Sequence, residues 1–194
     1  MPEAGPSEWG PSEWGVCDMA VGDRVRGRGA ALLRAYAPGG DRPLGGYARA
    51  LTVYASVVAG AGAAVLLTGR QLPSRVGLGD VVLISVATHK LSRLVSKDAV
   101  TSPLRAPFTR YDGPTGAGEV AEEVRHDASG SRHVFGEMVS CPFCLAVWVA
   151  TGLTIGLVFA PRATRLVATC FTAVAGSDFL QMAYAAARHA DTHH

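Results

Sequence analysis

At 194 residues the chain has the length of one domain, yet 48% of it is hydrophobic and only 18% charged, a balance unusual for a soluble protein. The formal charge of +2 is modest and the basic residues are spread without interleaved aromatics, which gives nucleic-acid binding little support. The apolar residues are bunched into runs, so the composition points to helices in a lipid bilayer.

Residues 1–46 read as a disordered cytoplasmic tail, basic and rich in Gly and Pro. Within it Pro6-Ser7-Glu8-Trp9-Gly10 is repeated at once as Pro11-Ser12-Glu13-Trp14-Gly15. Two copies of five residues cannot build a solenoid, so a tandem duplication is expected, with the Trp pair as a membrane anchor or partner motif the alternative. Arg24, Arg26, Arg28 and Arg34 are interspersed with Ala30, Leu32, Leu33 and Tyr36. That pattern is open to a short basic helix on anionic headgroups or to a solvated linker. The first forty residues lack the apolar stretch of a signal peptide, so the first apolar helix is expected to serve as the insertion signal.

Leu51 to Thr68 carries no charge and predicts a first crossing over about 50–69. Its Ala59-Gly60-Ala61-Gly62-Ala63-Ala64 patch is small enough to let another helix approach closely. Val81 to Thr88 is a shorter run, soon interrupted by His89, Lys90 and Arg93. Ser85, His89, Ser92 and Ser96 nevertheless repeat at helical spacing, which predicts a second crossing over 78–96 with one polar face turned to protein or water. A helix lying in the interface is the alternative.

Residues 97–140 form the longest cytoplasmic loop. Pro103 and Pro107 break any helix, Asp112 to Gly118 is rich in turn residues, and Glu119 to Asp127 reads as acidic and solvated. His133 to Val139 is a short amphipathic approach to Cys141-Pro142-Phe143-Cys144. Leu145 to Ala160 then predicts a third crossing over 144–161, with Gly152 and Gly156 in a GxxxG pattern. Leu166 to Ala187 predicts a fourth over 164–187, with Asp178 its sole formal charge. Residues 188–194 are a short polar tail, and His193-His194 is more simply an exposed terminus than a ligand pair.

Four crossings with the N-terminus inside put fourteen of the 18 Lys and Arg residues on the cytoplasmic side and leave Arg70, Arg75, Arg162 and Arg165 outside. The positive-inside bias therefore predicts a multi-pass protein of the cell membrane with both termini cytoplasmic. Asp178 and Arg93 fall at similar depths from the outer ends of their helices. An uncompensated charge there costs at least about 2.5 kcal/mol, so Asp178 is expected to pair with Arg93, with His89 or Lys90 as alternatives. A register-setting pair is preferred to a proton or ion path because no second internal carboxylate appears.

Two segments resemble a known family. Thr88-His89-Lys90-Leu91-Ser92-Arg93-Leu94-Val95-Ser96-Lys97-Asp98 with Thr101-Ser102-Pro103-Leu104-Arg105-Ala106-Pro107-Phe108 resembles the first signature of an uncharacterised bacterial membrane family, domain of unknown function 1360. Gly136-Glu137-Met138-Val139-Ser140-Cys141-Pro142-Phe143-Cys144-Leu145-Ala146-Val147-Trp148 resembles the second. The resemblance covers roughly residues 47–187 and implies a small multi-pass protein of the bacterial envelope with no established activity. It carries over no catalytic residue. Arg93, Asp98, Arg105, Glu137, Cys141, Cys144 and Trp148 are the matched positions.

Cys141 and Cys144 admit three readings. Their spacing is that of a glutaredoxin dithiol at a helix start, but the βαβ framework of that fold is missing. Two thiolates also make half of a tetrahedral zinc site, with His126, His133, Cys17 and Cys170 poorly spaced for the other half and a second copy able to supply it. The preferred reading is structural: Pro142 starts a helix, the cysteines pack under the loop, and Trp148 anchors the helix near the headgroups. In a reducing cytoplasm a permanent disulfide is disfavoured.

The expectation is thus an all-α membrane protein, a bundle of about four transmembrane helices spanning 47–187. No catalytic residue is assigned and no small-molecule substrate is identified, and no cofactor is expected unless the cysteines bind zinc. It would act by association in the bilayer, as a homodimer or beside another membrane protein. A cytoplasmic-face CxxC protein, redox-active or zinc-binding, is the alternative.

Overall fold

The computed structural model describes residues 31, 35, 36, 43–125 and 130–191. The chain divides into two units, Met1–Leu44 and Gly45–His194. In the first, Ala31, Ala35 and Tyr36 are helical and exposed. The Trp repeat, the four tail arginines, Cys17, His126 and His193-His194 lie outside the described residues.

Four long helices make up most of the second unit: α1 (Leu44–Thr68), α2 (Leu78–Lys97), α5 (Pro142–Phe159) and α6 (Pro161–Asp191). Between α2 and α5 come a 3-10 turn (Ala99–Thr101), α3 (Ser102–Arg105), strands β1 (Thr109–Gly116) and β2 (Glu119–Val124), and α4 (Ser131–Ser140). Three helical stretches, Leu44–Thr68, Pro142–Phe159 and Pro161–Ala190, are long and apolar enough to cross a membrane. The fourth long helix, α2, is not among them, since Asp80, His89, Lys90, Arg93 and Lys97 interrupt it.

The core lies where α2, α5 and α6 meet: Ala87, Leu153 and Ala168 are buried, ringed by Leu83, Ile84, Leu91, Val149 and Phe171. Ala87 and Ala168 are small, so the helix backbones come close there. Helix α2 runs parallel to α6, with Thr172 Oγ1 donating to the Leu83 carbonyl at 3.2 Å and Asp80 held in a fork by Arg165 at 2.8 Å. Helices α5 and α6 are antiparallel and joined by Ala160 alone. Gly156 permits that reversal, because a Cβ there would lie 2.5 Å from Thr164 Oγ1. Gly152, the other half of the GxxxG, meets nothing within 4 Å.

Helix α1 runs beside α5 in the same direction. Tyr54 stacks edge-on against Trp148, at 5.3 Å between centroids, and shares a 2.9 Å hydrogen bond with Thr151. Further along, Arg70 donates to the Val158 carbonyl at 3.1 Å and lies over Phe159. At its foot Gly46 is buried, and a Cβ there would meet Val134 and the Gly130 carbonyl at under 3 Å. The small-residue patch is uncovered: neither Gly60 nor Gly62 has a neighbour within 4 Å of a Cβ position.

Several expectations are corrected. The fold is not all-α, because the loop read as turn-rich over Asp112 to Gly118 and as acidic and solvated from Glu119 forms an antiparallel hairpin of β1 and β2 closed at Ala117-Gly118, with Gly118 at φ +81. Strand β2 alternates: Val120, Glu122 and Val124 fall on one face, and the inward carboxylate of Glu122 disguises the pattern. Helix α1 begins at Leu44, inside the stretch read as tail, and α6 continues to Asp191 through the stretch read as polar terminus. The proposed polar face of α2 also splits. Ser92 and Ser96 are buried while Ser85 and His89 are exposed, so the buried part of that face lies in the C-terminal half of α2.

Candidate functional site

The polar end of the bundle is organised around Arg105. Its position follows from a run of local signals: α2 stops at Asp98 in extended conformation, a 3-10 turn follows, and Pro103 opens α3. The guanidinium that results is completely buried. A buried charge needs full pairing, and Arg105 has it. Its Nε and Nη2 grip Glu122 at 2.9 and 2.8 Å, Nη1 donates to the Val95 carbonyl and Thr101 Oγ1 at 2.6 Å, and Nη2 reaches the Asp98 carbonyl at 3.0 Å. Glu122 accepts in addition from Ser102 at 2.9 Å and Thr109 at 2.7 Å. Burial alone would push the Glu122 carboxyl up, but the hydrogen bonds from Arg105, Thr109 and Ser102 outweigh it and hold it below its ordinary value.

A second pair ties the hairpin to α2. Arg93 donates to both carboxylate oxygens of Glu119, at 2.7 and 2.6 Å from Nη2. Beside it, Asp98 bridges to Glu119 along the backbone and the Ala99 amide donates to the Gly118 carbonyl at 2.8 Å. Arg93 is therefore engaged away from Asp178. The expected Asp178–Arg93 pair is replaced by Lys90–Asp178 at 2.8 Å, and Lys90 also lies 3.8 Å from Asp98. The reason is the competing carboxylate that the hairpin brings to Arg93. Burial raises the Asp98 carboxyl, Lys90 only partly offsets this, and the charges of Glu119 and Asp178 push the same way. His89 is exposed.

The cysteines sit where α4 passes into α5 through one residue. Cys141 is the N-cap of α5, with Pro142 at the first helical position, and its sulfur accepts from the Cys144 amide at 3.4 Å. Cys141 is partly exposed, Cys144 and Phe143 are exposed, and both cysteines are free thiols. Burial would push the Cys141 thiol up. The Cys144 thiol and the amides of Cys144 and Phe143, with the Lys97 cation, more than reverse this and bring it below the usual thiol range. One turn earlier, Glu137 accepts from Tyr47 of α1 and lies 3.4 Å from His133. Trp148 follows two turns on, clasping Tyr54. Among the described residues no group of three His, Cys, Asp or Glu side chains is placed to hold a metal ion. A zinc ion at Cys141 and Cys144 would need further ligands from a second copy.

Glu119, Glu122, Tyr47 and Tyr54 were not singled out by sequence. The available signal was weak, a Val-x-Glu-x-Val alternation over 120–124 with an arginine waiting elsewhere in the chain.

The fold and site define a helical bundle with three helices of membrane-crossing character and a polar module of hairpin and short helices held to one end by the buried Arg105–Glu122 pair and the more exposed Arg93–Glu119 pair. The chain belongs to the family described as protein of unknown function (DUF1360), whose model matches residues 83–184. That span runs from the core of α2 into the last third of α6 and includes the whole polar module. The chain is 31% identical over 86 residues to the sporulation protein YjcA of Bacillus subtilis, a match covering 44% of this chain and 73% of that protein. It is 28% identical over 81 residues to the UPF0713 protein YngL of the same organism, covering 42% of this chain and 59% of the relative. No solved structure matches.

Proposed function

We propose that the chain is a four-crossing protein of the cell membrane, with both termini cytoplasmic, that acts by associating with a second copy or another membrane protein through α1. The observation that carries this reading is the state of α1. It is fastened to the bundle at its foot, at Tyr54 and at Arg70, while the Gly60 and Gly62 surface between is bare. In lipid, small residues on a helix let a partner backbone approach and gain van der Waals contact that lipid tails do not match. In this reading α2 crosses as the fourth span because Asp80 is paired with Arg165, Lys90 with Asp178 and Arg93 with Glu119 of the hairpin.

The test is cross-linking in native membranes from a single cysteine at position 57, with and without Gly60→Leu/Gly62→Leu. A cross-linked species that the double variant abolishes, at unchanged membrane insertion, is the expected result. A chain that stays uncross-linked in both backgrounds ends the reading.

A further inference from the structure

We propose that Cys141 and Cys144 form a thiol–disulfide exchange site that takes a disulfide as its co-substrate, with Cys141 as the attacking sulfur and Cys144 as the resolving one. This goes beyond the association of α1 and does not depend on it. Four observations converge. The two thiols lie on the same side of the first turn of α5, joined by the 3.4 Å contact of the Cys144 amide with the Cys141 sulfur. Neither is in a disulfide, and both lie at the surface of the protein, Cys141 partly exposed and Cys144 exposed. The positive end of α5 and the Lys97 cation both favour a thiolate at Cys141. Finally, the exposed Phe143 ring between them is 85% accessible and offers an apolar surface to whatever carries the disulfide.

The step balances as follows. The Cys141 thiolate attacks one sulfur of the incoming disulfide; that S–S bond breaks, a mixed disulfide forms, and the first thiolate leaves and is protonated from water. Cys144 then attacks the Cys141 sulfur, its proton passing through water to the second thiolate, which leaves as a thiol, while the proton lost earlier by Cys141 accounts for the first. The cysteine pair is oxidised by two electrons and the incoming disulfide is reduced to two thiols.

The experiment uses the full chain in detergent on a Cys17→Ser/Cys170→Ser background, with glutathione disulfide as the first probe and a disulfide-linked peptide with apolar flanks as the second. Iodoacetamide should modify Cys141 about tenfold faster than an ordinary thiol at pH 7, and Lys97→Gln should slow it. Cys144→Ser should trap a glutathione adduct on Cys141. The chain with both thiols should instead pass to an intramolecular disulfide in a reversible two-electron titration. Preference for the peptide that Phe143→Ser abolishes assigns a polypeptide disulfide, and equal rates indifferent to Phe143→Ser assign a small-molecule one; both support the site. An ordinary alkylation profile with no trapped adduct overturns it. So does half an equivalent of zinc per chain that blocks alkylation, which would mark a thiolate site shared by two copies.

Discussion

Arg105 and Glu122 show how a single buried pair can hold a module together. Neither could be buried alone, and the carbonyls of Val95 and Asp98 complete the donor count of the arginine. Arg105→Ala is therefore expected to cost about 3–5 kcal/mol, since it leaves a carboxylate buried without its partner. Replacing both residues with Arg105→Met/Glu122→Leu should recover part of that loss. Thermal unfolding in detergent and protease cleavage within 109–124 measure both. The depressed Glu122 carboxyl sets the pH dependence. Its stabilisation is fully present above the unfolded value near 4.5 and is lost as pH falls through the lower folded value. Protection of the hairpin should thus hold from pH 7 to 5 and decline below about 4. Glu122→Gln should remove the acid step, and an unchanged acid profile in that variant would assign the step elsewhere.

At the scale of elements, the register of α2 on α6 is fixed at two heights, by Asp80 with Arg165 and by Lys90 with Asp178. A double-mutant cycle on thermal stability is expected to give a coupling on the order of 0.5–3 kcal/mol between Lys90→Met and Asp178→Ala. Arg93→Met and Asp178→Ala should be additive, because Arg93 is bound to Glu119. Coupling of Asp178 to Arg93 with none to Lys90 would reverse the assignment. The apolar runs that became α1, α5 and α6 were legible from composition, as were the amphipathic α4 and the helix start at Pro142. The hairpin was not, since its inward Glu122 reads as solvent-facing until Arg105 is known to lie opposite.

For the whole molecule, the proposed four crossings would put the turn after α1 and the turn between α5 and α6 on the outside, and the hairpin inside. On a cysteine-free background, single cysteines at positions 72 and 162 should react with an impermeant thiol reagent added outside intact cells. Positions 115 and 190 should react only after permeabilisation. External labelling at 115 would invert the topology, and labelling at 190 with none at 72 would remove α2 as a crossing. Such a result would leave three spans, in keeping with the three helices whose composition alone suffices.

The sequence by itself determined where helices form and which are apolar, because periodicity, prolines and the cost of charge in lipid act within one turn or one span. It also located Arg105, Asp98, Glu137, Cys141, Cys144 and Trp148 as positions of interest, through the two motifs. Only the tertiary structure decided their partners. Arg93 chose Glu119 over Asp178, Trp148 met Tyr54 of α1, and Gly156 rather than Gly152 became the point of closest approach. Each of these depends on which faces meet across distant stretches of chain, and a side chain with several partners of suitable charge settles on the one that folding brings within hydrogen-bond reach.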